Sequence, residues 1–227
     1  MPLLLHFIDD QSKLSAMNMP TIQKRRGRPP KEGRSREETQ QALLRAGTEA
    51  MTSHGFTASG LDQILKSVGV PKGSFYYYFS SKEAWGMAVL EWYDAFFRRM
   101  LEKHLNNTAR PPLSRLADFV DHACAGMAKY QFTRGCLVGN LGQEGPLLSA
   151  DFCARLEAVL QGWQALVEQT LQAARDDGTL APGADCAQLA AFFWIGWEGA
   201  VLRARLTRSE DPMRLFLAGF LAGLPRI

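Results

Sequence analysis

Within Lys72–Tyr78, the run Lys-Gly-Ser-Phe-Tyr-Tyr-Tyr, the chain gathers one ammonium, one hydroxyl and three phenols around Phe75. Amines and phenols reach phosphate oxygens, and Ser and Tyr hydroxyls also reach base edges. Such a face solvates poorly and suits nucleic acid. Just upstream, Leu61, Ile64, Leu65 and Val68 fall at i, i+3, i+4, i+7, the spacing of one apolar helix face. Gly69 suits the left-handed residue that ends that helix, and Pro71 suits the first turn of the next. Phe75 and Phe79 pack inward and leave Lys72, Ser74, Tyr76, Tyr77 and Tyr78 on or beside the outer face. The spacing predicts a helix-turn-helix with its recognition helix at Pro71–Tyr78. An ordinary helical hairpin with a tyrosine-rich side is the alternative.

Upstream again, residues 23–36 carry seven basic side chains against the single acid Glu32. Gly27, Pro29 and Pro30 keep this stretch out of helix and strand, so residues 1–34 are expected to form a disordered basic arm. Arg25, Arg26 and Arg28, set around Gly27, suit the narrow minor groove of A·T-rich DNA, where negative potential concentrates. A solubilising tail would look the same without the helices beside it.

Those chemical groups need elements to hold them. Ser35 with Glu38 reads as a capping box that opens a helix through Leu43, Leu44, Gly47, Ala50 and Met51 to a stop at Gly55. Ser80 with Glu83 reads as a second box. It opens a long helix with Trp85, Ala88, Val89, Trp92, Phe96 and Met100 inward and Lys82 in the first turn, near a passing phosphate. After Pro111-Pro112 comes a helix over Leu113–Tyr130, with Leu116, Phe119, Val120, Ala123 and Met127 on one side. The glycine-rich segment Thr133–Pro146 lacks a nucleotide-binding pattern and reads as a short or broken helix. Ser149 or Asp151 caps the next helix. Asp185 with Gln188 caps one that is apolar nearly all round and should be buried on several sides, and Asp211-Pro212 begins the last.

The expected fold is all-α. A three-helix helix-turn-helix domain would occupy residues 35–80, and a larger ligand-binding and dimerisation domain residues 81–227. The last two helices carry more apolar surface than one small domain can cover. Pairing them in a homodimer buries it and sets two recognition helices about one DNA turn apart.

The run from Gly55-Phe56 through Val68-Gly69-Val70-Pro71-Lys72-Gly73-Ser74-Phe75-Tyr76-Tyr77-Tyr78-Phe79 to Lys82-Glu83 resembles the DNA-binding domain of the TetR family of bacterial repressors, over about residues 35–90. The resemblance implies that Lys72, Tyr76 and Lys82 hold the DNA backbone while Ser74 and Tyr77 approach bases. Gly73 and Tyr78 belong to the same surface, although Tyr78 stands where a histidine is common. It also implies a palindromic operator, a homodimer and a small-molecule effector.

Farther along, Trp194, Glu198, Val201 and Arg205 lie on one helical stripe. Its two charges form either a structural ion pair or part of a pocket. The segments Gly135–Glu144 and Trp194–Ala200 are similar to the branch of the family that controls acrylate-utilisation genes and, more distantly, the N-ethylmaleimide reductase gene. That likeness implies an effector site of Cys136, Asn140, Gln143, Trp194, Trp197, Glu198 and Arg205, with Cys136 at the position of an electrophile-sensing cysteine. Arg205 stands where that branch has a lysine, and a guanidinium is a very weak nucleophile. A sensor thiol needs partial access and a lowered pKa, whereas a structural one is simply a small buried hydrophobe.

The chain has 227 residues and a net charge of +3, with the basicity concentrated at its front. Its apolar opening, Met1–Ile8, has no basic flank and runs into Asp9 and Asp10, so no export signal is expected. Met17 and Met19 are alternative starts. Leu189–Trp197 is too short to span a bilayer. Four scattered cysteines without a C-x-x-C pair point to reduced thiols in the cytoplasm. No metal, no cofactor and no catalytic activity are expected. The function read from the sequence is a ligand-responsive repressor bound to a palindromic operator; the alternative is an architectural binder of A·T-rich DNA acting through the arm.

Overall fold

The computed structural model describes residues 34–226, and the regular elements among them are helices. Arg25, Arg26, Arg28 and the rest of the arm before Arg34 lie outside the described residues. The helices are α1 (Arg36–His54), α2 (Leu61–Val68), α3 (Lys72–Tyr78), α4 (Lys82–Leu105), α5 (Pro112–Lys129), α6 (Leu137–Gly142), α7 (Ala150–Asp176), α8 (Cys186–Thr207) and α9 (Asp211–Gly223). A 3-10 turn at Gly145–Leu147 links α6 to α7.

The capping box at Ser35 forms in full. Ser35 Oγ accepts from the Glu38 amide at 3.1 Å, and Glu38 Oε2 accepts from the Ser35 amide at 2.7 Å. Helix α1 then packs closely on α4. A Cβ on Gly47 would come within 2.6 Å of both Trp85 and Val89, so only a glycine lets the two helices approach this far. The buried Trp85 indole donates back to the Leu43 carbonyl at 3.2 Å. Gly69 closes α2 in the left-handed conformation (φ 72°), as its position predicts. Pro71 caps α3 from outside rather than sitting in its first turn.

Two expectations shift by one residue. The cap of α4 is Ser81, whose Oγ accepts from the Ala84 amide at 2.9 Å, and not Ser80. Glu83, the supposed box partner of Ser80, instead takes a hydrogen bond from the Ser149 hydroxyl at the start of α7. The buried register of α4 is Trp85, Val89, Tyr93, Phe97 and Leu101, while Trp92, Phe96 and Met100 are half-buried. Ser149 caps α7, and Asp185 caps α8 by accepting from the Gln188 amide at 3.0 Å.

The larger core is aromatic. Trp163 of α7, fully buried, meets Phe97 at 4.3 Å and Trp194 at 5.4 Å between ring centroids. Its indole donates to Asp94 at 2.7 Å, and Arg155 pairs with the same carboxylate at 3.3 Å, which satisfies a buried charge. On α8, Phe193, Trp194, Trp197, Ala200, Val201 and Ala204 face this core. The opposite side is open, contrary to burial on several sides: Phe192, Ile195, Leu202 and Leu206 are exposed, as is Leu215 on α9. Gly199 has nothing within 4 Å of an added Cβ, so the stripe is flat enough for another helix to lie on it.

Candidate DNA-reading and effector sites

Burial of Phe75 and Phe79 turns the rest of α3 outward. Tyr76 is 64% exposed and Tyr77 49%. Tyr77 is braced on one side by the Tyr78 ring, edge-on at 5.3 Å, and on the other by the Arg36 guanidinium, 4.7 Å from its centroid. Tyr78 is half-buried against the core. Lys72 is exposed and pairs with Asp62 at 2.9 Å, a contact that a phosphate can displace at little cost. Ser74 is half-buried, and Gly73 is open to solvent. Arg34, the first residue of the described chain, donates to the Val68 carbonyl at 3.1 Å, at the end of α2.

Lys82 behaves differently from the other basic residues of this surface. Its ammonium donates to the Phe56 carbonyl at 2.9 Å and lies 4.7 Å from the centre of the Phe56 ring. Burial lowers its pKa, with Glu144 acting against that. It ties α4 to the loop between α1 and α2.

Behind this reading head, α1, α4, α5 and α8 line a partly open cavity of about 170 Å³. That is roughly the size that admits a benzene-sized molecule. Phe96, Met100, Met127, Val201 and Met213 make its walls apolar, and Cys136 and Trp197 reach it from the set expected around the effector. Four wall residues, Arg45, Thr48, Glu49 and Thr52, belong to α1 itself. Arg134 completes the rim, paired with Glu49 and stacked 4.1 Å over Tyr130.

Cys136 caps α6: its sulfur accepts from the Gly139 amide at 3.5 Å. It is 8% exposed, and burial first, then the Glu198 carboxylate, pushes its thiol well above the usual range. The lowered pKa expected of a sensor thiol is therefore absent. The Glu198 carboxylate lies beside Cys136, against Gly139, and burial pushes its pKa up to about 7. Its Oε1 is buried with no hydrogen-bond partner among the described residues, as is the Trp194 indole nitrogen. The Tyr93 phenol, also raised by burial, approaches the same sulfur.

Asn140 and Arg205 are brought together, but on α1 rather than on the cavity. Asn140 Nδ2 donates to the Met51 and Thr52 carbonyls, both at 2.9 Å. Arg205 donates to Asn140 Oδ1 at 2.8 Å and to the Ser53 carbonyl at 2.9 Å. A guanidinium at the C-terminal end of α1 meets carbonyls that have no intrahelical partner and the negative end of the helix dipole. Next to them, both Glu144 oxygens accept backbone amides, from Phe56 and Thr57, at 2.7 Å each. Glu198 and Arg205 thus form no ion pair with each other. Gln143 is exposed, and Trp194 is packed in the core.

Residues 43–84 match the family of bacterial regulatory proteins, tetR family, and residues 112–220 match the tetracyclin repressor-like C-terminal domain. The transcriptional regulator AcuR of Cereibacter sphaeroides is 47% identical over 180 residues, 79% of this chain and 82% of that protein. The repressor NemR of Escherichia coli is 33% identical over 181 residues, 80% of this chain and 91% of its own length. The chain belongs to the TetR family. It is a DNA-binding transcriptional repressor. A regulatory protein TetR from Rhodobacter sphaeroides superposes with a TM-score of 0.80 at 45% identity, covering 82% of this chain and 98% of that one. The reduced form of E. coli NemR gives 0.73 at 31%, covering 83% and 98%.

For this TetR repressor, reading the sequence missed the wall that α1 contributes, together with Tyr93 and Arg134. No side-chain pattern marked it, since the half-burial of Phe96 and Met100 beside the cavity is a product of packing.

Proposed function

We propose that this repressor grips a palindromic operator as a homodimer, through α3 and the basic arm, and lets go when a small electrophilic, acrylate-like molecule enters the cavity and adds to Cys136. Residues 1–34 act as the arm, 35–80 as the reading head and 81–227 as the effector and dimerisation domain, in the cytoplasm. The exposed apolar stripe of α8 and α9 supplies the dimer face. The observation that carries the reading is the shared wall. The cavity takes Cys136 from one side and Arg45, Thr48, Glu49 and Thr52 of α1 from the other, so an occupant pushes on the helix that supports the reading head. An occupant preferring one arrangement of α1 shifts the dimer between two spacings of its recognition helices. Arg205 is committed to Ser53 and Asn140 and Arg134 to Glu49, so Arg45 in the cavity lining is the cation suited to an effector carboxylate.

The test is release from operator DNA. Cys136→Ser should keep operator affinity and lose release by acrylate or N-ethylmaleimide, while Ser variants of Cys124, Cys153 and Cys186 should release as wild type does. A Cys136→Ser protein that still releases would make effector binding non-covalent. On the DNA side, Tyr77→Ala should cost about 1–3 kcal/mol per half-site on the operator and little on random DNA. Equal loss on both would reassign Tyr77 to the phosphates.

A further inference from the structure

We infer that Glu198 is the general base for Cys136, accepting the thiol proton as sulfur adds to an activated alkene. The inference rests on the reading of Cys136 as the electrophile-responsive thiol. Cys136 stands between two environments, the cavity on one side and the Glu198 carboxylate on the other. Its thiolate is not formed in advance, since burial and the neighbouring carboxylate both oppose it. The proton must therefore leave as the S–C bond forms, to an acceptor within hydrogen-bond reach.

The other groups around the sulfur cannot take it. The Gly139 amide is a donor and steadies charge on sulfur. The Tyr93 phenol is itself a raised acid. Arg205, farther along α8, is held at Ser53 and Asn140. Cys136 from the start of α6 and Tyr93 from α4 are the titratable groups that face Glu198. Its pKa near 7 makes it a base at neutral pH without being a strong one.

Two further features favour this role over a structural one. Among the described residues Glu198 Oε1 is buried without a partner, an arrangement that costs stability and gives a purely structural residue nothing in return. A Cβ on Gly139 would collide with Glu198 Oε2, so the backbone beside the sulfur leaves room for the carboxylate.

The step balances without an oxidant. The sulfur pair forms a bond to the β-carbon of an α,β-unsaturated carbonyl compound, and the π pair moves onto the carbonyl as an enolate. Glu198 holds the thiol proton, which ends on the α-carbon and leaves a thioether and a carboxylate.

The experiment is the rate of N-ethylmaleimide addition at Cys136 in the full-length protein, followed by peptide mass across pH. Wild type should speed up with pH and level off above about 7. Glu198→Gln should react about a hundredfold more slowly at pH 8 and keep rising tenfold per pH unit. Glu198→Asp, which keeps a carboxylate, should recover part of the rate and the levelling. A Gln variant that reacts like wild type, or slowly with an unchanged profile, overturns the base and leaves the thiol reading standing. Absence of an adduct at Cys136 in wild type overturns both.

Discussion

Replacing Glu198 by Gln should stabilise the folded protein by about 3 kcal/mol above pH 7, and by almost nothing near pH 4. Burial raises this carboxyl from 4.5 to about 7. Between those values the folded state holds a proton that the unfolded chain has given up. Wild-type stability therefore falls as pH rises through that window, and the full cost is present above it. Glutamine stays neutral throughout, so the variant lacks that slope. Denaturant titrations at pH 4.5 and 8, at one protein concentration because the proposed homodimer would make stability depend on it, measure the difference. Parallel curves for the two proteins would mean that Glu198 ionises as freely folded as unfolded.

The second large effect is expected at the joint between the two halves. Glu144→Ala removes the acceptor of two amide hydrogen bonds, from Phe56 and Thr57, each 2.7 Å long. Bonds to a charged group contribute about 1.5–3 kcal/mol each and do not add fully, so the loss should be about 3 kcal/mol. In hydrogen exchange the Phe56 and Thr57 amides should then open about a hundredfold more readily. Gln143→Ala, at the exposed neighbour, should leave them protected. Unchanged protection in Glu144→Ala would make Lys82, on the Phe56 carbonyl, the tie that holds this loop.

Local signals explain which features were legible in advance. Ser35 with Glu38, Ser149, and Asp185 with Gln188 are caps decided within one helical turn, and each forms. Ser80 failed because Ser81 offers the same oxygen one residue later and Glu83 is drawn to Ser149, a partner 66 residues away. The helix-turn-helix was legible because Gly69 and the Phe75–Phe79 pair fix its geometry locally. Around the cavity the reading was weaker. Asn140 and Arg205 are polar residues near a cysteine, which resembles a ligand site, yet their partners are the carbonyls of Met51, Thr52 and Ser53. Every residue has a carbonyl, so no side-chain pattern announces such a contact. Cys136 lines the cavity, but its environment follows from burial and from Glu198, both products of tertiary packing.

The wall that α1 lends to the cavity also bears on building hybrid regulators. A chimera that joins residues 81–227 to another protein's reading head would import a foreign α1, and with it four new side chains at positions 45, 48, 49 and 52. On the proposed function, the hybrid's choice of inducer would then depend on the donor of the DNA-binding half, although the reactive thiol lies in the other half. A graft meant to transplant chemical specificity has to carry Arg45, Thr48, Glu49 and Thr52 along with it.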